Sequence, residues 1–154
     1  MALRIRHLSW AILAVWELPQ NLLGAALFLI KCLQSRPSVE LRGNRMLIRS
    51  DIGISLGSFV FWMCDPDDKT FTLSDVNKYH EIGHSIQSLA LGPAYLAVVG
   101  IPSAARAVYA RIYYRLKKKR WEGYYKGFPE SWADRLGGVD STLGVRLTEG
   151  PAEP

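Results

Sequence analysis

The five residues His80-Glu81-Ile82-Gly83-His84 constrain this chain more than any other stretch. The pattern H-E-x-x-H asks for a helix, because residues four apart then lie on one face, one turn from each other. Two imidazoles so placed can grip one zinc ion at about 2.0–2.1 Å each. Glu81 is turned about 100° from His80 around the axis. It can reach a coordinated water without occupying a coordination position. A catalytic zinc takes three protein ligands and keeps a water. The third ligand must therefore come from a distant segment, and the chain must fold back to deliver it. The sequence holds only 3 histidines, and two of them are in this motif.

Glu130-Ser131-Trp132-Ala133-Asp134 offers that third ligand. Glu130 can bind the metal. Asp134, four residues on and on the same face, can accept a hydrogen bond from the other ring nitrogen of a ligating histidine and so fix its tautomer. Alone, this stretch is weak evidence for a ligand and reads first as a solvated amphipathic helix with Trp132 and Leu136 turned inward. Its position downstream of H-E-x-x-H gives it weight. Tyr124 and Tyr125 lie just before it and could offer a phenol to an oxyanion, although interfacial or core tyrosines are the commoner use of such residues.

The rest of the chain frames this site. At 154 residues a single domain with a modest core is expected. Arg4, Arg6 and His7 precede an apolar run, Leu8 to Trp16, like the front of a signal peptide. No small-x-small cleavage site follows, so a retained segment is expected. Glu17, Pro19, Gln20 and Asn21 interrupt the apolar region Leu8–Leu33. Each half is too short to span a bilayer, and Pro19 should break or kink a helix. Two short interfacial helices or a kinked hairpin fit better than a clean span. Beyond a linker at Ser35–Ser38, Val39–Arg42 and Arg45–Arg49 read as strands around a Gly43-Asn44 turn. Ile54–Met63 reads as a third strand with Gly57 as a bulge. Asp65–Lys69 reads as a turn. Ser74 should cap a helix over Asp75–Leu91 that stops at Gly92-Pro93. Leu89–Pro102 suits a core or re-entrant element, and Arg106–Arg120 a basic helix. Phe128-Pro129 should open a short helix, with the proline in its first turn and Gly137-Gly138 at its end. Thr148–Pro154 reads as a disordered tail. Cys32 and Cys64 form neither a disulfide framework nor a metal knuckle and read as buried thiols of a reducing compartment.

The formal charge of +5 suits an anionic partner. The positive charge concentrates at Arg111, Arg115, Lys117, Lys118, Lys119 and Arg120, interleaved with Tyr109, Tyr113, Tyr114 and Trp121. Aromatics beside Lys and Arg point to the headgroups of an anionic leaflet, on the cytoplasmic side by the positive-inside rule, and away from nucleic acid. A solvated basic helix face is the plainer alternative.

His80-Glu81-x-x-His84 with Glu130-x-x-Ala133-Asp134-Arg135-Leu136-Gly137 resembles the gluzincin pattern of zinc metallopeptidases. It is most similar to the integral-membrane branch that includes the CAAX prenyl proteases. It also resembles a set of small uncharacterised bacterial proteins that share His-Glu-x-Gly-His, Gln87-Ser88, Leu91-Gly92-Pro93, Gly100-Ile101-Pro102-Ser103 and Trp132–Gly138. The specific motifs cover residues 80–103 and 128–139. The resemblance implies an α+β, zincin-like fold: a small antiparallel sheet packed on the H-E-x-x-H helix. The chain as a whole is expected to divide into an apolar membrane-associated segment at 1–34, a metallopeptidase domain at 35–140 and a flexible tail at 141–154; the N-terminal region and the sheet rest on weaker similarity. The resemblance implies His80, His84 and Glu130 as ligands of one zinc ion, Glu81 as general base and Asp134 as the partner of a ligand. The expected activity is hydrolysis of a polypeptide at a bacterial inner membrane, with the substrate extended along Ile54–Met63. A zinc-containing scaffold without turnover, or a membrane-surface protein with an accidental motif, are the alternatives. The chain is shorter than the prenyl proteases and lacks their several spans, so prenylated substrates are not implied.

Overall fold

A computed structural model of the chain describes residues 11–64 and 72–147. Arg4, Arg6, His7 and the start of the apolar run, the Asp65–Lys69 turn and the tail from Thr148 lie outside the described residues. The order is α1 (Leu18–Gln34), β1 (Val39–Arg42), β2 (Arg45–Ser50), β3 (Ile54–Leu56), β4 (Phe59–Met63) and α2 (Thr72–Leu91). A short irregular helical stretch, Gly92–Ala94 and Leu96–Gly100, leads into α3 (Ile101–Lys117). Then come α4 (Glu130–Gly137), β5 (Val139–Asp140) and β6 (Val145–Arg146). The fold is mixed α+β around a small sheet, and no helix among the described residues is long and apolar enough to cross a membrane.

The sheet runs β1-β2-β4-β3. β1–β2 and β3–β4 are antiparallel, but β2 pairs with β4 in parallel, Leu47 opposite Val60. The sheet is therefore mixed, not the purely antiparallel one expected. The expected single strand over Ile54–Met63 is two strands. Gly57 takes φ +63°, a left-handed conformation that suits glycine, and makes a turn instead of a bulge. Asn21 holds that turn by accepting the Ser58 N–H at 2.8 Å. The fold-back puts β4 inside the sheet and leaves β3 at its edge.

α2 lies on this sheet, and Leu47, Val60 and Ile82 meet there under Trp62, Tyr79 and Ile86. The helix begins at Thr72, a little earlier than expected, so Ser74 is inside it instead of capping it. α4 crosses the other side of α2 at very close range. A Cβ added at Gly83 would stand 2.0 Å from the Ala133 carbonyl oxygen, and one at Gly137 would stand 2.2 Å from that of Tyr79. Only glycines allow that approach. Pro129 is the N-cap of α4, one residue before its first turn. Residues 141–147, expected in the tail, instead include β6, and the Arg146 guanidinium sits 4.0 Å from the centre of the Tyr79 ring.

The N-terminal region corrects another expectation. Helical residues 11–16 run into α1 through Glu17, whose N–H donates to Leu13 O and whose carbonyl accepts from Asn21 N, both at 2.9 Å. Pro19 opens α1 in its first turn, where a missing N–H costs nothing. The polar residues that interrupt the apolar run are buried anchors. Glu17 and Gln20 are both 0% exposed. Glu17 accepts from Arg45 at 2.7 and 3.2 Å and from Ser88 Oγ at 2.5 Å. Arg45 also donates to the Ser85 carbonyl at 3.0 Å. Gln20 donates to the Gly92 carbonyl at 2.9 Å, and Trp16 Nε1 to that of Leu89 at 2.9 Å. These bonds compensate the desolvation of a buried ion pair and stitch the N-terminal helices to the last turns of α2. No disulfide joins the cysteines; contrary to expectation Cys32 is exposed and Cys64 half-buried.

Candidate metal centre

His80 and His84 project from α2 on one face, and α4 brings Glu130 over them. One donor atom from each residue lies within 4.8 Å of the others, and all three residues are buried. His80 Nε2 is 3.0 Å and His84 Nε2 3.2 Å from the same Glu130 oxygen, Oε2. Ligands bonded at zinc distances in a tetrahedron stand about 3.3 Å apart. The two distances to Glu130 come close to that spacing.

The hydrogens decide what the cluster can hold. His80 Nδ1 lies 2.6 Å from Asp134 Oδ1. Asp134 is itself fixed, accepting from Ser141 N at 3.0 Å and Ser141 Oγ at 2.6 Å. His84 Nδ1 lies 2.7 Å from Gln87 Oε1. Gln87 cannot flip usefully, because its Nε2 donates to the Pro129 carbonyl at 3.0 Å. Both imidazoles therefore carry a hydrogen on Nδ1 and turn Nε2 toward a carboxylate. In their neutral forms the three facing atoms are all acceptors, an arrangement that needs a shared cation. Glu130 Oε1 and Glu81 Oε2 are buried without a hydrogen-bond partner among the described residues. The donor set, its spacing and these orphaned oxygens fit one divalent metal ion with room for a solvent molecule.

The titration of the side chains follows the same logic. Burial alone would lower the His80 pKa, but hydrogen bonds to Asp134 and Glu130 outweigh it and hold it up at about 10. Burial would raise Glu130, yet its bonds to His80 and His84 pull it well below the usual carboxylate range. In the absence of metal, a proton thus does part of the cation's work. Burial raises Glu81 against the pull of His84 and His80. Glu81 Oε1 faces the backbone of Gly53, where an added Cβ would stand 2.6 Å away.

Two cavities open on the cluster. One, of about 510 Å³, lies between β3 and α3 and reaches His84 and Glu130; the other, of about 560 Å³, reaches Asn77, Arg120 and Trp121. Tyr124 lines both, as do His80 and Glu81; Tyr125 lines the second. The Tyr125 ring packs edge-on against His80, centroids 5.3 Å apart, and against Tyr124 at 4.7 Å. Burial pushes Tyr125 up to about 12 and raises Tyr124 as well, so both phenols remain protonated donors. Arg106 holds the loop that carries them: its guanidinium donates to the carbonyls of Gly123 and Tyr124 and lies 4.9 Å from the Trp121 ring centre. In the sequence Arg106 reads as one more charge of a basic helix, and nothing local reveals the clamp. Gln87 also escapes a sequence reading, although its i, i+3 spacing from His84 is a usable signal.

Every sequence-expected site residue therefore comes to one place: His80, His84, Glu130, Glu81, Asp134, Tyr124 and Tyr125. No protein-family model matches the chain, and no curated protein or solved structure matches it either.

Proposed function

We propose that this protein is a zinc-dependent metallopeptidase of zincin-like architecture that works at an anionic membrane surface on the cytoplasmic side of a bacterial inner membrane. One observation carries the reading: three buried atoms able to ligate a metal, His80 Nε2, His84 Nε2 and Glu130 Oε2, meet from segments 46 to 50 residues apart, and both imidazoles have their Nδ1 atoms engaged elsewhere. Two imidazoles and a carboxylate suit zinc, and a set of three protein ligands with an open position is the catalytic arrangement. The gluzincin-like pattern of the two motifs supports the same reading.

Bound zinc would polarise a substrate carbonyl and acidify a coordinated water. Glu81, buried and orphaned at Oε2, takes the proton of the attacking water and delivers it to the leaving amine. Tyr124, kept neutral by burial, is the better placed of the two phenols to donate to the developing oxyanion, because it borders both cavities. Tyr125 steadies the His80 ring. Asp134 and Gln87 hold the two ligand tautomers. An extended polypeptide can add to the edge of β3, beside Glu81.

Membrane association draws support from the surface. Leu18, Leu22, Leu29, Ile30 and Leu33 of α1 are exposed, as are Ile101, Val108, Ile112 and Leu116 of α3. α3 ends in exposed Arg115 and Lys117, followed by Lys118, Lys119 and Arg120. Apolar faces beside such a basic end suit an anionic bilayer interface.

The test is cleavage of an unfolded protein by the metal-loaded chain. Hydrolysis should stop on chelation, return with zinc and be absent in Glu81→Gln. Cleavage by a Glu81→Gln protein at the parent's rate would remove the mechanism.

A further inference from the structure

We propose that the 510 Å³ chamber beside the cluster is a specificity pocket for a bulky apolar side chain next to the bond that is cleaved; this rests on the hydrolytic reading above. The chamber is walled by Leu23, Leu56, Tyr95, Leu96 and Ile101, and the metal-centre residues close one end. Tyr95 adds a ring, not a donor, because its hydroxyl is spent on the Ser55 carbonyl at 3.0 Å. Apart from the tyrosines, the lining has no titratable side chain outside the centre itself. A charged side chain placed there would lose its hydration, and away from the centre itself it would meet no opposite charge. The volume lies within the range of pockets that enclose small ligands, which leaves room for a Phe- or Leu-sized group.

A second, independent feature points the same way. Ser55 lies on the edge strand and lines the chamber, and its residue is 3% exposed. Its hydroxyl has no hydrogen-bond partner among the described residues. With the Ser103 and Tyr124 side chains on the same lining, this free hydroxyl can serve one backbone amide of a peptide whose side chain fills the chamber. The cavity on the other side of Glu81 carries Arg120 and Asn77. The two flanks of the bond therefore meet different chemistry, and the apolar requirement falls on one of them. The rim residues Leu23 and Ile101 are themselves exposed and continue the apolar faces of α1 and α3.

Gly100 gives a clean way to fill the chamber. It lies on the wall with ordinary helical angles, φ −57° and ψ −50°. A Cβ built there meets nothing closer than 3.5 Å. Binding is measured on the full-length, zinc-loaded Glu81→Gln protein, so that no turnover is needed. The probes are fluorescent, end-blocked alanine hexapeptides with a single Phe moved through the sequence, beside the all-alanine parent. At one position Phe should tighten binding by about tenfold or more, and adding Gly100→Leu should cut that gain to about threefold or less with zinc content unchanged. Ala104→Phe, on the same lining, serves if Gly100→Leu does not fold. No Phe preference at any position, or a preference that survives filling in a zinc-bearing protein, overturns the proposal. Wild-type hydrolysis of the same peptides is followed in parallel. A filling-sensitive Phe preference without hydrolysis would count for the chamber and against the peptidase reading.

Discussion

At the scale of single residues, the proposed centre sets a proton and a metal ion in competition for the same lone pairs. Without metal, His80 has its pKa raised to about 10, above the ordinary 6.5. A raised folded-state pKa contributes stability that is whole below about 6.5 and fades as pH rises toward 10. Metal binding must displace that proton and becomes tighter as pH rises. The melting temperatures of metal-loaded and chelator-treated protein should therefore diverge between pH 6.5 and 8, as read by calorimetry. A constant gap would mean that His80 and the metal do not compete. Gln87 makes a second residue-scale prediction. Gln87→Leu removes the acceptor of His84 Nδ1 and the donor to the Pro129 carbonyl. Metal affinity should drop about 10- to 100-fold, as for other partners of ligating histidines. Competition against a zinc indicator dye measures it, and an unchanged affinity would remove Gln87 from the site. The pairing of His80 with His84 on one face was legible in the sequence because four-residue spacing on a helix is a geometric statement. The Gln87 bond is not legible there, because a glutamine on a helix has many uses and its partner is fixed only once Pro129 is in place.

At the scale of elements, the cluster exists because α2 and α4 approach closely enough to bring Glu130 over His80 and His84. Gly83 and Gly137 set that distance. Gly83→Ala puts a methyl group into the Ala133 carbonyl, and the two helices must separate. The expected cost is about 1–3 kcal/mol of stability or more, together with weakened metal binding. Denaturant unfolding of the metal-free protein isolates the packing part, and a Gly83→Ala protein as stable as the parent would contradict the close approach. The sequence revealed α2, α4 and the β1–β2 hairpin, because hydrophobic period and Gly43-Asn44 are local signals, whereas α3 begins at Ile101, before the expected Arg106. The sequence did not reveal that β2 and β4 run parallel or that β3 forms the edge. Gly57 was compatible with both a bulge and a turn, and strand order depends on contacts far along the chain. Glu17 misled for the same reason. Within an apolar run it reads as an interruption, and its partner Arg45 is 28 residues away. Arg45→Met alone leaves a buried carboxylate unpaired, which should cost about 3–5 kcal/mol. Thermal unfolding should show Glu17→Gln/Arg45→Met recovering much of that loss.

At the scale of the whole molecule, the apolar outer sides of α1 and α3 and the basic end of α3 share a surface role in the proposed function. Binding to phosphatidylglycerol vesicles should exceed binding to phosphatidylcholine vesicles and weaken with salt. Replacing Arg115, Lys117 and Lys119 by glutamine should cost about 1 kcal/mol each, on the order of a hundredfold in all. Equal sedimentation with both kinds of vesicle would contradict the charge-based part of the account. Membrane contact nevertheless remains secondary to the central claim, which is that α2 and α4 converge to cage one divalent ion. The most direct test is metal content after zinc loading and exhaustive buffer exchange, measured by elemental analysis on folded wild type, Glu130→Ala and His84→Ala. The account predicts one zinc per wild-type chain and little or none in either variant. A wild type that retains no metal, or a Glu130→Ala protein that retains it as tightly, would contradict it.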